Sequence, residues 1–404
     1  MNRLLVATLL ALCSNVAFAA DLAVLGDRIH TQAGDPIRNG IVLIKDGKIT
    51  AVGRQADIAV PAGARRLEAA VVTPGFIDAR TVVGLAGYMN QPHDQDQLEG
   101  SAPMQPQLRA MDAYNARERL VEWLRGLGVT TLHTGHGPGA LISGQTMIVK
   151  SRGNNVDAAM VEPVAMLAAH LGPSAFGAER SSPGTRAKQM ALLRQQLIKA
   201  GEYRDKRATA EAGAEPPRDL ELEILIDVLE GRLPLLVTAH REQDIRSALR
   251  LQEEFGLRLV LDGAAEAYLM TDAIAAAGVP VLLHPPMARQ FGELENASFS
   301  SARWLYEAGI PFALQSGFES YVPKTRVVLW EAAIAAAYGL PFDRALGSIT
   351  SQAAEILGIA ERVGSIEIGK DGDLVLFDGD PFEYTSQVIS VVIEGEVLSD
   401  GAGS

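Results

Sequence analysis

All but one of the seven histidines stand where an imidazole could act on a ligand. His133 and His136, in Leu-His-Thr-Gly-His-Gly, close one predicted apolar strand, while His170, His240 and His284 each lie near the C-terminal end of another. His93, in His-Asp-Gln-Asp-Gln, belongs to a loop that would cover the same end. Imidazole is both a metal ligand and an acid–base group near neutral pH, so rings gathered from several strands could build a metal site. A hydrolytic site around His136, His240 and His284, with or without a metal, is the catalytic form of that reading. A histidine beside a strand end can equally be an ordinary polar residue satisfied by the backbone. Arg80, which ends a strand in Asp78-Ala79-Arg80, offers the opposite chemistry: a permanent positive charge and no lone pair for a metal. A salt bridge of Arg80 with Asp78 or with a loop carboxylate is its alternative role. Asp94 and Asp96 read as solvated loop rather than as an acid–base pair. The glycine-rich stretch Gly135–Gly144 matches neither a dinucleotide fingerprint nor a P-loop, and reads as a tight loop whose backbone N–H groups could meet a ligand carboxylate. There is no Gly-x-Ser-x-Gly elbow, and His30 has no evident role.

The elements that must position these groups lie in a chain of 404 residues with a formal net charge of -13. That charge argues against a phosphate-backbone partner, and no basic stripe or aromatic ladder supports nucleic-acid binding. Met1-Asn2-Arg3, the apolar run Leu4–Cys13 and Ala17-Phe18-Ala19 together read as a signal peptide (residues 1–19), cleaved near Ala19, which places the mature chain in the periplasm or outside the cell. The single cysteine, Cys13, falls inside that signal, and the bulky Leu12 before it fits a lipoprotein cleavage site poorly. A mature chain without cysteine has neither disulfides nor thiolate ligands. No later stretch is long and apolar enough to span a bilayer.

Short strands are expected at both ends. Ile41–Ile44 and Ile49–Val52 flank Lys45-Asp46-Gly47-Lys48, a hairpin signal because Asp-Gly accepts positive φ. Near the other end, Gly364–Gly369, Leu374–Phe377 and Val388–Leu398 repeat the strand pattern. Neither end can bury both faces alone, so residues 20–72 and 362–404 are expected to pair into one small β-sandwich with residues 73–361 inserted between them. The insertion alternates apolar strands (Gly75–Ala79, Val129–His133, Val164–Ala168, Leu235–Ala239, Leu257–Leu261, Val279–Leu283, Ile310–Leu314) with amphipathic stretches. In one stretch Met190, Leu193 and Leu197 share a face, and another runs Leu222, Leu225, Val228, Leu229. Ala208–Arg218 reads as a surface loop or linker. Repeated βα units of this length point to an α/β fold with a (β/α)₈ TIM-like barrel. A doubly wound open sheet is the rival, but it leaves the split β-domain unexplained.

Specific stretches carry a resemblance. Thr73-Pro74-Gly-Phe-Ile-Asp-Ala79, Gly128-Val-Thr-Thr131, Gly144-Gln145 with Lys150, and Thr350 to Phe377 with its Gly369-Lys-Asp-Gly-Asp373 turn resemble the amidohydrolase superfamily in the order that family has them. Asp112 and Asn115 in Asp-Ala-Tyr-Asn further resemble its imidazolonepropionase-like branch. The resemblance covers nearly the whole mature chain and implies a metal-dependent hydrolase of C–N bonds. In the family, ligands at the strand ends hold one or two ions that lower the pKa of water and polarise a carbonyl. They are His-x-His after the first strand, Lys or Glu on the fourth, His on the fifth and sixth, and Asp on the eighth.

At the matching positions this chain has Arg80 and Val82, Ala168, Thr238, Gly263 and Gly317. The resemblance thus implies the fold and removes the ligand set. Two functions remain open. One is a non-catalytic or attenuated member that binds a small molecule or an active homologous amidohydrolase subunit, with no cofactor. The other is a working hydrolase of a small amide, cyclic amide or dipeptide-like substrate, with zinc or another divalent metal only if the site has been relocated onto the remaining histidines.

Overall fold

The computed structural model describes residues 21–89, 91–177, 181–318 and 325–400. The expected signal peptide and Cys13 lie outside the described residues. Both ends of the described chain enter one seven-stranded sheet, in the order Glu396–Asp400, Val388–Ile393, Leu374–Phe377, Arg65–Pro74, Leu22–Ile29, Ile37–Lys45, Lys48–Arg54. The join is antiparallel, with Leu376 opposite Val72 and Leu374 opposite Pro74. Leu22–Ile29 runs parallel to Arg65–Pro74 and antiparallel to Ile37–Lys45. The turn between Lys45 and Lys48 places Asp46 and Gly47 at φ 49 and 78, the primed geometry that suits a twisted hairpin. Where a small β-sandwich is expected from the two ends, the strands hydrogen-bond as one continuous sheet.

The inserted region is mixed α/β. Leu167–His170, Leu235–Ala239, Leu259–Gly263, Val281–Leu283 and Phe312–Leu314 pair in parallel, each with its neighbour in sequence, and Ile142–Gln145 caps one edge antiparallel. Phe76–Thr81, Val129–Thr134, Met147–Lys150 and Met160–Glu162 form a second sheet. The two sheets meet at a parallel bridge between Thr81 and Gly317, where the Gly317 N–H donates to the Arg80 carbonyl at 3.2 Å. They touch again where the Thr146 N–H donates to the Met166 carbonyl at 2.8 Å. Their strands are not joined into one hydrogen-bonded ring, so the expected closed barrel is drawn here as two abutting sheets. The strands run up to two residues past their expected ends: Leu167–His170, Leu259–Gly263 and Phe76–Thr81 take in His170, Gly263 and Arg80. The short strands Ile142–Gln145 and Met147–Lys150 carry no alternation and were invisible as such. Helix Arg186–Thr209 reaches into the expected linker by two residues and buries Met190, Leu193 and Leu197, as its pattern requires.

Inside the strands, Ile77, Ile148, Met166, Leu236, Val260, Leu282 and Ala313 form one apolar layer. Helix Ser351–Ile356 closes it from the side away from the strand ends with Ala353 and Ala354, and Leu357 follows. Fully burying a large aliphatic side chain contributes about 1.5–3 kcal/mol, so this layer supplies much of what fixes the strand ends above it. Among the described residues, no helix is long and apolar enough to cross a membrane.

The two regions are tied by a buried ionic cluster. Lys150 meets Asp371 at 3.0 Å and also Asp373, and Lys48 and Arg362 reach Asp371 at 2.5 and 3.1 Å. Lys150, Asp371 and Asp373 are almost completely shielded from solvent. Burial alone would raise the Asp371 carboxyl; Lys150, Lys48 and Arg362 together hold it below its ordinary value. Removing the ammonium leaves the buried Asp373 without a counter-charge, while Asp371 keeps Lys48 and Arg362. Lys150→Met is therefore expected to cost about 3–5 kcal/mol in urea unfolding, whereas a loss near zero would show the cluster to be dispensable.

Candidate functional site

The C-terminal ends of the inner strands surround a cavity of about 560 Å³. Arg80 and Thr81 reach it from the first inner strand, His170 from Leu167–His170, and Thr238 and His240 from the end of Leu235–Ala239. Asp262 and Gly263, His284, and Gln315 to Gly317 complete the floor from the last three parallel strands. Every one of these positions lies where parallel strands deliver side chains to a common mouth.

Asp262 belongs to the floor, and both its oxygens are engaged. Thr238 Oγ1 donates to Oδ2 at 2.5 Å and Gln315 Nε2 donates to Oδ1 at 2.7 Å. Gln315 also donates to the Leu282 carbonyl at 2.7 Å, which fixes its amide. The Arg80 guanidinium is buried; Nη1 donates to the Thr81 carbonyl at 2.9 Å, Nη2 donates to the His136 carbonyl, and Nε has no partner. Burial pushes its pKa down, while Asp262 and then Asp78 oppose that shift from beyond ion-pair range. The expected salt bridge with Asp78 is not formed. Asp78 instead accepts the Ser316 N–H at 2.9 Å and the Arg80 backbone N–H at 3.3 Å, and its other oxygen has no partner. Burial pushes the Asp78 carboxyl up to about 7.

The histidines separate into two groups. His240 and His284 line the cavity together with His170, which the candidate set omitted; His136 does not line it. The His136 ring is packed beneath Gly144, where an added Cβ would collide with it. His133 is an ordinary satisfied polar residue: Nδ1 lies 2.7 Å from the Ala79 carbonyl and Nε2 lies 2.7 Å from Thr146 Oγ1. His93 is exposed on its loop, and His30 lies apart in a contact with Phe342 and Asp343. His284 Nδ1 sits 2.8 Å from the Pro285 carbonyl, which can only accept. Nδ1 therefore carries the proton, and Nε2, buried and without a partner, keeps its lone pair. His170 has no hydrogen-bond partner at either ring nitrogen and lies 4.0 Å from Glu293. Glu293 comes from the loop over the mouth and accepts the Ser174 N–H at 2.9 Å and the Ser174 hydroxyl. Asp262, Gln315, Ser174 and Glu293 were not singled out from sequence, and only Asp262, just before Gly263, stood beside a position that was.

The residues at the positions that the resemblance assigns to metal ligands do not fit the family's ions. Arg80 has no lone pair, Val82 and Ala168 are apolar, and the Thr238 hydroxyl is spent on Asp262. Gly263 and Gly317 supply no side chain and sit at φ 76 and 72, where a histidine or aspartate would be strained. The space beside Gly263 is already filled by the His240 ring. Among the described residues, no three His, Cys, Asp or Glu side chains are grouped to hold a metal ion.

Burial also makes the imidazoles acid-sensitive. It pushes His133 down to about 3, and His136, His170, His240 and His284 down to about 4. Unfolded histidine titrates near about 6.5, so between those values the unfolded chain binds more protons. The contribution of these imidazoles should be fully present above pH about 6.5 and be lost as the pH drops towards about 4; the Asp78 carboxyl, held up to about 7, acts in the opposite sense but is one group against five, so the net stability should fall. Denaturant midpoints measured across that window check this, and a flat profile would contradict it.

Comparison with known proteins agrees with the geometry at the level of family. The model of the amidohydrolase family matches residues 140–398, more than half of the chain. An imidazolonepropionase of Solibacter usitatus is 25% identical over 375 residues, covering 86% of each chain. Amidohydrolase tasK of Hapsidospora irregularis is 23% identical over 393 residues; the match covers 89% of this chain but 40% of that protein. Among solved structures, an amidohydrolase from Thermotoga maritima MSB8 superposes with a TM-score of 0.88 at 28% identity, covering 94% of this chain and 100% of that one. Such neighbours imply a TIM-barrel type of fold for the inserted region. The chain belongs to the amidohydrolase family, on its imidazolonepropionase-like branch.

Proposed function

We propose that this chain is an exported member of the amidohydrolase family, non-catalytic or strongly attenuated, that binds a small molecule in the strand-end cavity without resident metal ions. The two abutting sheets are read as the (β/α)₈ barrel of the family. The observation that carries the proposal is the floor chemistry. A guanidinium stands at the first ligand position, two positive-φ glycines stand at the last two, and Asp262 is engaged by Thr238 and Gln315. Such a floor recognises a ligand through charge and hydrogen bonds, whereas water activation needs an electron-pair cage around a cation. A homologous active subunit remains the other partner in this reading.

The catalytic reading keeps one supporting observation. Relatives of this chain are named imidazolonepropionases, and His170, His240 and His284 line one cavity. A hydrolase of carbon–nitrogen bonds would have to use those rings, with zinc or a similar ion if they move together.

Elemental analysis of protein purified without chelator separates the readings. Well under one equivalent of metal, with no hydrolysis above background across a panel of amides and cyclic amides, is expected. Stoichiometric zinc or manganese that is lost in His240→Ala, accompanied by turnover, would defeat the proposal. Export has its own test: N-terminal sequencing of the native protein should begin at or near Ala20, and a retained Met1 would refute cleavage.

A further inference from the structure

The polar atoms of the cavity floor do not match one another, and the mismatch describes what is missing. Arg80 is a buried cation, and among the described residues no carboxylate lies within ion-pair distance of its guanidinium; its two hydrogen bonds go to neutral carbonyls. A buried charge without a counter-charge is expensive unless something in the site supplies one. His284 presents the complementary defect. Its Nδ1 proton is committed to Pro285, so the buried Nε2 is an acceptor with nothing to accept from. Burial also keeps that ring neutral at physiological pH, so it cannot correct the defect by taking up a proton. Neither Thr238 nor Gln315 can help: the hydroxyl proton and the amide N–H groups are already directed at Asp262 and Leu282.

Part of the cavity wall is apolar, formed by Pro285, Phe291, Leu294 and Phe318. The floor therefore asks for at least one anionic oxygen and one hydrogen-bond donor; His170 and His240 also line it with unpartnered ring nitrogens, but no carbonyl fixes their tautomers as Pro285 fixes that of His284, so they can meet either a donor or an acceptor. Arg80 and Arg289 set two positive charges against Asp262 and Glu293 on the same cavity, so a singly charged anion suffices and nothing in the lining calls for a dianion. The cavity of about 560 Å³ is in the size range of small-molecule sites.

Resting on the reading of this cavity as a metal-free binding site, we propose that its ligand is a small monocarboxylic acid bearing an N–H group, with the carboxylate facing Arg80 and the N–H donating to His284 Nε2. Arg80 and His284 are then the specificity-determining residues, and the wall set by Phe291 and Leu294 selects the apolar body.

The test uses the full mature chain and matched probes in calorimetric titration. Pyrrole-2-carboxylate, indole-2-carboxylate and a set of N-acetyl amino acids are each compared with their carboxamides and their N-methyl counterparts. At least one acid is expected to bind, and either change to it should weaken binding about tenfold or more, as loss of a buried charge-assisted or neutral hydrogen bond does. Arg80→Gln should erase the preference for acid over carboxamide, and His284→Phe should erase the preference for N–H over N-methyl, each without touching the other. Because the probe pairs are compared on the unaltered protein, the result stands even if a variant fails to fold. Carboxamides or N-methyl compounds that bind as tightly as the N–H acids, or a panel in which no acid binds, would overturn this assignment while leaving a metal-free cavity for some other ligand. Stoichiometric metal with turnover would instead defeat the underlying reading, whatever the acids do.

Discussion

A guanidinium can be buried only where oxygens surround it, and the top of this molecule is arranged around that requirement at Arg80. Thr81 and His136 turn their carbonyls towards it, and Asp262 and Asp78 lend negative potential from farther away. Asp262 must then be restrained from pairing with it directly, which the Thr238 hydroxyl and the Gln315 amide accomplish by occupying one oxygen each. Asp78 is restrained by the Ser316 N–H in the same way. The cation is thus stabilised in place but not neutralised by contact. A charge held in that condition within a low-dielectric cavity acts on a ligand far more strongly than one in water.

The lower half of the molecule has no part in this chemistry. Lys150, Asp371 and Asp373, which join the seven-stranded sheet to the inserted region, belong to the stretches that carry the resemblance to the amidohydrolases. Gly128, another of those positions, lies against Phe76 and Val375, where a side chain would have no room. The motifs that specify the fold and the residues that decide the chemistry are therefore different sets at opposite ends of the strands. Family membership follows from the first set, while activity depends on the second, and one can be kept while the other changes.

That separation also explains what could be read from the sequence. Apolar runs bounded by turns gave the parallel strands, and helical spacing gave the buried face of Met190, Leu193 and Leu197, because burial repeats with local period. Strand ends were placed short because their last residues are polar: Asp262, Arg80 and His170 look like loop until their partners are known. Those partners are remote, since Thr238 and Gln315 stand 24 and 53 positions from Asp262 and Ser174 stands 119 from Glu293. No local pattern encodes such pairs. His136 stands apart from the cavity-lining rings for a related reason. The chain turns after Thr134 and tucks that ring beneath Gly144, a packing decision invisible in Leu-His-Thr-Gly-His-Gly.

In the proposed reading, the ligand positions assigned by resemblance are not merely stripped of donors and ready to be refilled; the backbone argues for reconstruction. Gly263 and Gly317 both hold the left-handed region, which costs a residue with a side chain of order 1–3 kcal/mol. At Gly263 the volume a ligand side chain would need is occupied by the His240 ring, and at Gly317 it is bounded by Pro285. Returning histidine and aspartate to these positions would strain the backbone, displace His240 and leave Arg80 facing an ion of its own sign. A cation site and this arginine therefore exclude each other by sterics and by charge. The floor is coherent only as a whole: guanidinium, dressed carboxylate and neutral imidazole form one polar surface adapted to an anionic, hydrogen-donating guest.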